Sequence, residues 1–161
     1  MKFTKIEKSW ILYDVGNSAF VLLVSTIIPI YFKNIASSAG ISLADSTAYF
    51  GYAASISTLI VAVLGPILGT IGDTSGYRMR LFLLALGVGV LGCLALGIPL
   101  GWLFFLIMFV IAKVGYNSSL IFCDSMLPDV TTDKRMDEIS SVGYAFGYIG
   151  SCIPFAVCML L

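Results

Sequence analysis

Five stretches of this chain are apolar for long enough to cross a bilayer, and most charged residues sit in the short segments between them. A membrane-spanning helix needs about 20 such residues. Backbone polar groups in lipid must be satisfied within the segment, so spans of this kind are helices. The alternating apolar and polar pattern of a membrane β-barrel is absent. The expected fold is therefore all-α, a polytopic bundle of about five transmembrane helices. The chain is 59% hydrophobic and 11% charged, against about a quarter charged in ordinary soluble domains.

The spans are placed at about 10–32, 47–72, 81–99, 102–124 and 139–161. The short basic N-terminus followed by an apolar run resembles a signal peptide in outline. The first run is longer, lacks a small-x-small cleavage site, and carries Asp14 and Asn17, so it is read as a retained span. Lys2, Lys5, Lys8, Arg78, Arg80, Lys134 and Arg135 fall on one side of the membrane, and Lys33 on the other. The positive-inside rule then makes the N-terminus and the loops 73–80 and 125–138 cytoplasmic. Five spans place the C-terminus outside.

Several function classes are disfavoured. The net charge is zero and no basic run exists, so nucleic acid is not an expected partner. There is no histidine, and Cys93, Cys123, Cys152 and Cys158 show no metal-ligand spacing. They are read as small apolar packing residues. No metal, cofactor or enzymatic nucleophile–base pair is expected.

Polar residues inside membrane spans point instead to a pathway. Asp14, Asn17, Ser18 and Ser25 share one face of the first span. Asp14 reads either as a proton- or cation-sensitive carboxylate on a cavity wall, or as an interfacial acid bonded to nearby backbone. Lys113 lies near the middle of the fourth span, with Asn117 and Asp124 on the same face. A charge at that depth is costly unless water or a partner compensates it, which favours a solvated pathway over snorkelling. Side chains lean toward their own helix N-terminus, so Asp14 and Lys113 diverge in depth and no direct pair is expected. Lys113 then meets an anionic group of a solute or a helix outside this chain.

Small residues pattern two spans. Gly51, Ser55, Ala62, Gly65 and Gly69 fall roughly on one face of the second, and Gly143, Gly147 and Gly150 mark the fifth. Such faces permit close helix packing, with packing inside the chain favoured over a dimer contact. The segment SMLPDVTTDKRMDE (125–138) reads as a solvated loop, with Pro128 ending the fourth helix and Asp133, Asp137 and Glu138 at the start of the fifth.

Between the second and third spans lies GTIGDTSGYRMR (69–80). Asp73 stands at a helix C-terminus, where a carboxylate needs an external donor such as Arg78 or Arg80. Gly76 suits a tight turn. An acid held by a separable partner would act as a latch. The stretch resembles the loop motif G-x-x-x-D-R/K-x-G-x-R/K-R/K of the major facilitator superfamily, through Gly69, Asp73, Gly76, Arg78 and Arg80, with Thr74 and Met79 departing from it. SWILYDVGNSAF (9–20), NSSLIFCDSMLPDV (117–130) and ISSVGYAFGYIGS (139–151) are similar to its vacuole-effluxer-like branch, which includes a fungal vacuolar amino-acid exporter. By that resemblance Asp73 and Arg78 serve the latch, Asp14 and Asn17 belong to the first-helix signature, and Leu127-Pro128-Asp129 close the fourth helix.

The resemblance implies residues 1–161 are the N-terminal transmembrane portion of a fold of about 12 helices. The expected function is transport of a small solute by alternating access, with amino acids favoured, as a truncated or split secondary transporter in the cell membrane. The partners implied are the lipid bilayer, the solute, and a second chain supplying the missing helices. The rival expectation is a transport-inactive remnant or small membrane scaffold that pairs with another membrane chain.

Overall fold

The computed structural model of the chain describes residues 3–72 and 77–160. These residues are almost all helical, with no strand among them. The helices are α1 (Lys5–Ser38), α2 (Leu43–Gly72), α3 (Arg78–Ala95), α4 (Trp102–Ser125), the short α5 (Leu127–Val130) and α6 (Met136–Leu160), with a 3₁₀ turn at Asp133–Arg135. All but α5 are long and apolar enough to cross a membrane. Exposed Leu59, Val63, Leu91, Leu94, Ile149 and Ile153 give these helices the apolar exterior that lipid favours.

Helices α1 and α2 extend past their apolar runs because local chemistry sets their ends, whereas α3 stops at Ala95, short of the run placed at 81–99. Thr4 and Glu7 form a reciprocal capping box at the start of α1: Thr4 N donates to Glu7 Oε2 at 2.8 Å, and Glu7 N donates to Thr4 Oγ1 at 3.2 Å. The other end of α1 closes on Gly40, whose φ of +79° lies in the left-handed region. Gly40 N donates to Ser37 O and Ile41 N to Ala36 O, the paired bonds of a Schellman turn. Ser42 then caps α2 by accepting from Asp45 N at 3.1 Å and donating to Asp45 Oδ2 at 2.6 Å. This cap starts α2 four residues before the apolar run suggests. The fourth helix ends at Ser125, and Pro128 sits in the first turn of the new helix α5 rather than terminating α4.

The chain divides into two compact units, Pro29–Ser125 and the pair Met1–Ile28 with Met126–Leu161. In the first unit α4 packs against both α2 and α3. Its seam with α3 is nearly bare backbone. A Cβ built on Gly92 would lie 2.8 Å from Ala112 N, and one on Gly115 would meet Gly89 N and lie 2.9 Å from Ala85 O. Small residues allow the close approach that gives membrane helices their dispersion contact. Toward one end of the unit, Phe32, Phe50, Phe105 and Phe109 form an aromatic cluster with ring centroids 4.7–5.9 Å apart. Such tilted and offset pairs are favoured over face-to-face stacks.

In the second unit α1 and α6 pack through the glycines of α6. A Cβ on Gly143 would lie 2.8 Å from Trp10 Cζ3, one on Gly147 would meet Ser18 Oγ, and one on Gly150 would meet Val15. The small-residue face of α6 is thus used within the chain. On the corresponding face of α2, Gly65 meets Ile121 at 3.5 Å from a built Cβ, whereas Gly51 and Gly69 have nothing within 4 Å among the described residues, and Ser55 and Ala62 are exposed.

Candidate functional site in the membrane-spanning helices

Lys113 is carried on the face of α4 turned toward α2. Its Nζ donates to the backbone carbonyl of Ala54 at 3.4 Å. That carbonyl also accepts from Ser57 Oγ at 2.7 Å and Thr58 Oγ1 at 3.0 Å. The acceptor is crowded and the lysine bond is long, so the ammonium is only partly satisfied. No ion pair to Lys113 is found among the described residues. The group opens onto a groove of about 500 Å³ lined by Ala54, Ser55, Thr58, Leu59, Ala62 and Lys113. A cation flanked by two hydroxyl-bearing residues on an otherwise apolar wall suits one anionic group with a small apolar body.

The other residues expected on this face do different things. Asn117 Nδ2 donates to the Lys113 carbonyl at 2.9 Å, so it braces its own helix. Asp124 is exposed near the end of α4. Ser55 and Thr58 were not singled out with Lys113 in the sequence, because nothing local reveals which turn of α2 faces which turn of α4.

Asp14 and Asn17 belong to the other unit. Both are half-buried. Asp14 Oδ2 is fully buried and has no hydrogen-bond partner among the described residues. It lies against Gly143, where a Cβ would approach it to 3.0 Å. Ser18 abuts Gly147, whereas Ser25 returns its hydroxyl to Val21 O at 2.8 Å. The polar stripe of α1 is therefore split between a helix contact and a self-satisfied turn.

Of the loop motif, Asp73 and Gly76 lie outside the described residues. Gly69 sits in the last turns of α2, and Arg80 is exposed in the first turn of α3. Arg78 donates from Nη1 to Ser125 O at 3.2 Å, tying the start of α3 to the last carbonyl of α4. A cation at a helix C-terminus is electrostatically favourable.

A second charged cluster was not singled out in the sequence. Glu7 is only 2% exposed. Its Oε1 accepts from Thr131 Oγ1 at 2.9 Å and from Arg135 Nη1 at 3.0 Å, while Arg135 Nε donates to Glu138 Oε2 at 3.2 Å. The T-x-x-E spacing at Thr4 and Glu7 is the signal that was available for the carboxylate's first role. Its second role depends on a segment more than a hundred residues away.

A family model described as vacuole effluxer Atg22 like matches residues 43–138, more than half of the chain. The chain belongs to the vacuole effluxer Atg22-like family. It is also 43% identical over 159 residues to the uncharacterized MFS-type transporter YxiO of Bacillus subtilis (strain 168). That match takes in 97% of this chain and 37% of the relative, so this Atg22-like chain spans a little over a third of its relative's length. No solved structure matches it. Family membership and the five apolar helices make it a multi-pass membrane protein of a transporter family.

Proposed function

We propose that this Atg22-like chain is the N-terminal transmembrane portion of a secondary transporter, and that it moves a small solute bearing an anionic group by alternating access. The observation that carries this reading is Lys113, a charge at mid-span whose one hydrogen bond among the described residues is a long contact to a helix carbonyl, opening into a groove with Ser55 and Thr58. An ammonium in a membrane helix costs about 2.5–3.5 kcal/mol at the centre, and an anionic ligand repays part of that. Amino acids are the favoured solutes, by analogy with the fungal vacuolar amino-acid exporter of the branch this chain resembles. In this reading Asn117 braces the lysine's turn, Asp124 lies at the cytoplasmic mouth, and Asp14 and Asn17 line a second part of the pathway.

In this reading the protein lies in the cell membrane, and the distribution of lysine and arginine supports a cytoplasmic N-terminus. In this reading Asp73 and Gly76, with the flanking Gly69, Arg78 and Arg80, serve as a cytoplasmic latch. The bare face of α2 at Gly51, Ser55 and Ala62 suits a further helix, supplied by the rest of the transporter or by a second chain. The same face favours one rival reading, a transport-inactive scaffold that pairs with another membrane chain.

The test is uptake of a mixture of radiolabelled amino acids by proteoliposomes holding this chain. Saturable uptake that falls at least tenfold in Lys113→Gln supports transport through the Lys113 groove. Absent flux in the wild-type chain favours the scaffold.

A further inference from the structure

We propose that Asp14 is a proton-binding site read out by helix packing: it holds a proton while α1 lies against Gly143 of α6, and loss of that proton separates the two helices there. This deepens the pathway role proposed above for Asp14, but it rests on the packing of α1 and α6 alone.

The geometry leaves little choice of chemistry. Asp14 Oδ2 is buried with no hydrogen-bond donor in reach among the described residues. Against it stands the backbone of Gly143, whose neighbouring amides are already committed to the helix. The ring of Trp10 closes the same contact from α1. A neutral carboxyl tolerates such a place far better than a carboxylate, which loses its hydration without gaining a partner. No cation on either helix offsets that. Helix α6 has no basic residue between Met136 and Leu160. Arg135, just before it, is engaged by Glu7 and Glu138. On α1, Lys5 and Lys8 lie one to three turns toward the N-terminus, and Lys33 lies beyond Pro29. The remaining titratable groups of the pair are Glu7 and Tyr13 on α1, with Asp137, Glu138, Tyr144, Cys152, Tyr148 and Cys158 on α6. Both of these tyrosines on α6 are exposed, as are both of its cysteines.

A metal ion fits less well. Hard cations take about six oxygen ligands. Beside Gly143 and Gly147 the side-chain oxygens are Asp14 Oδ2 and Ser18 Oγ, and no cluster of three acidic, histidine or cysteine residues exists among the described residues.

Trp10 makes the contact observable. The chain has two tryptophans, and Trp102→Phe leaves Trp10 as the sole emitter. The full chain is purified in lipid nanodiscs and its emission followed from pH 5 to pH 9, with and without sodium. The expected result is one sodium-independent transition as pH rises, lost in Asp14→Asn, which keeps the low-pH emission. Gly143→Ala, which forces a methyl against Trp10 and Asp14, shows the high-pH emission throughout. A flat wild-type profile, a transition that persists in Asp14→Asn, or one that requires sodium overturns the proposal. No solute enters this measurement, so its failure is distinct from failure of the transport reading.

Discussion

Glu7 and Arg135, one from each of the two segments that make up the chain's second unit, meet in a 3.0 Å charge-assisted hydrogen bond. Glu7 is almost wholly buried and Arg135 about one-third exposed. The carboxylate also caps α1 and accepts from Thr131, so one side chain organises three segments. Removing either partner of a buried pair costs more than the pair contributes, because the other is left uncompensated. Glu7→Ala is expected to lower the thermal unfolding midpoint in detergent more than Glu138→Ala does, since Glu7 is almost wholly buried and Glu138 about one-third exposed. Arg135→Ala should fall between them, and Glu7→Ala/Arg135→Ala should lose less than the sum of the singles. A double-mutant cycle checks all three.

The α3–α4 seam predicts a second ranking. Gly115→Ala places a methyl against Gly89 N and 2.9 Å from Ala85 O, where no flexible side chain can yield. Overpacking of this kind costs about 1–3 kcal/mol. Gly51→Ala and Gly69→Ala meet nothing within 4 Å and should stay within about 0.5 kcal/mol of wild type. Equilibrium unfolding in mixed micelles separates the two groups.

Arg78→Ala removes the cation and hydrogen bond from the last carbonyl of α4. Interactions of this type contribute about 0.3–1 kcal/mol. The expected effect is local: faster amide hydrogen exchange in the final turn of α4, with the Gly89–Gly115 region unchanged. Equal acceleration along the whole helix contradicts a capping role.

The five apolar helices and their rough positions were legible because lipid demands long uninterrupted runs, and charge interrupts them only at the turns. Their true ends were not legible from hydropathy, since Thr4, Gly40 and Ser42 act through hydrogen bonds outside the apolar runs. Lys113 stood out as a lone charge at mid-span. Its groove partners did not, because Ser55 and Thr58 become neighbours of Lys113 only once the rotation of α2 is set by tertiary packing. The α3–α4 seam was overlooked for a related reason. Gly89 and Gly92, like Ala112 and Gly115, recur at a spacing of three rather than as G-x-x-x-G, and each is informative only beside its partner helix. Conversely, Gly65 and Gly69 of α2 match G-x-x-x-G, yet Gly69 touches nothing and Gly65 meets only Ile121, at 3.5 Å from a built Cβ.

Membrane orientation gives another test. In a cysteine-free background, a cysteine at Leu100 should react with a membrane-impermeant maleimide added outside intact cells, and one at Lys134 only after permeabilisation. The reverse pattern contradicts a cytoplasmic N-terminus.

The central claim is that Lys113 recognises an anionic group of the transported solute. Competition in proteoliposomes tests it most directly, with labelled amino acids challenged by unlabelled amino acids or by their carboxamides. The account predicts that amino acids compete at least tenfold better than the carboxamides, a difference of about 1.4 kcal/mol. It also predicts that Lys113→Gln erases that preference. Equal competition by both in the wild-type chain, or a preference that survives Lys113→Gln, would contradict it.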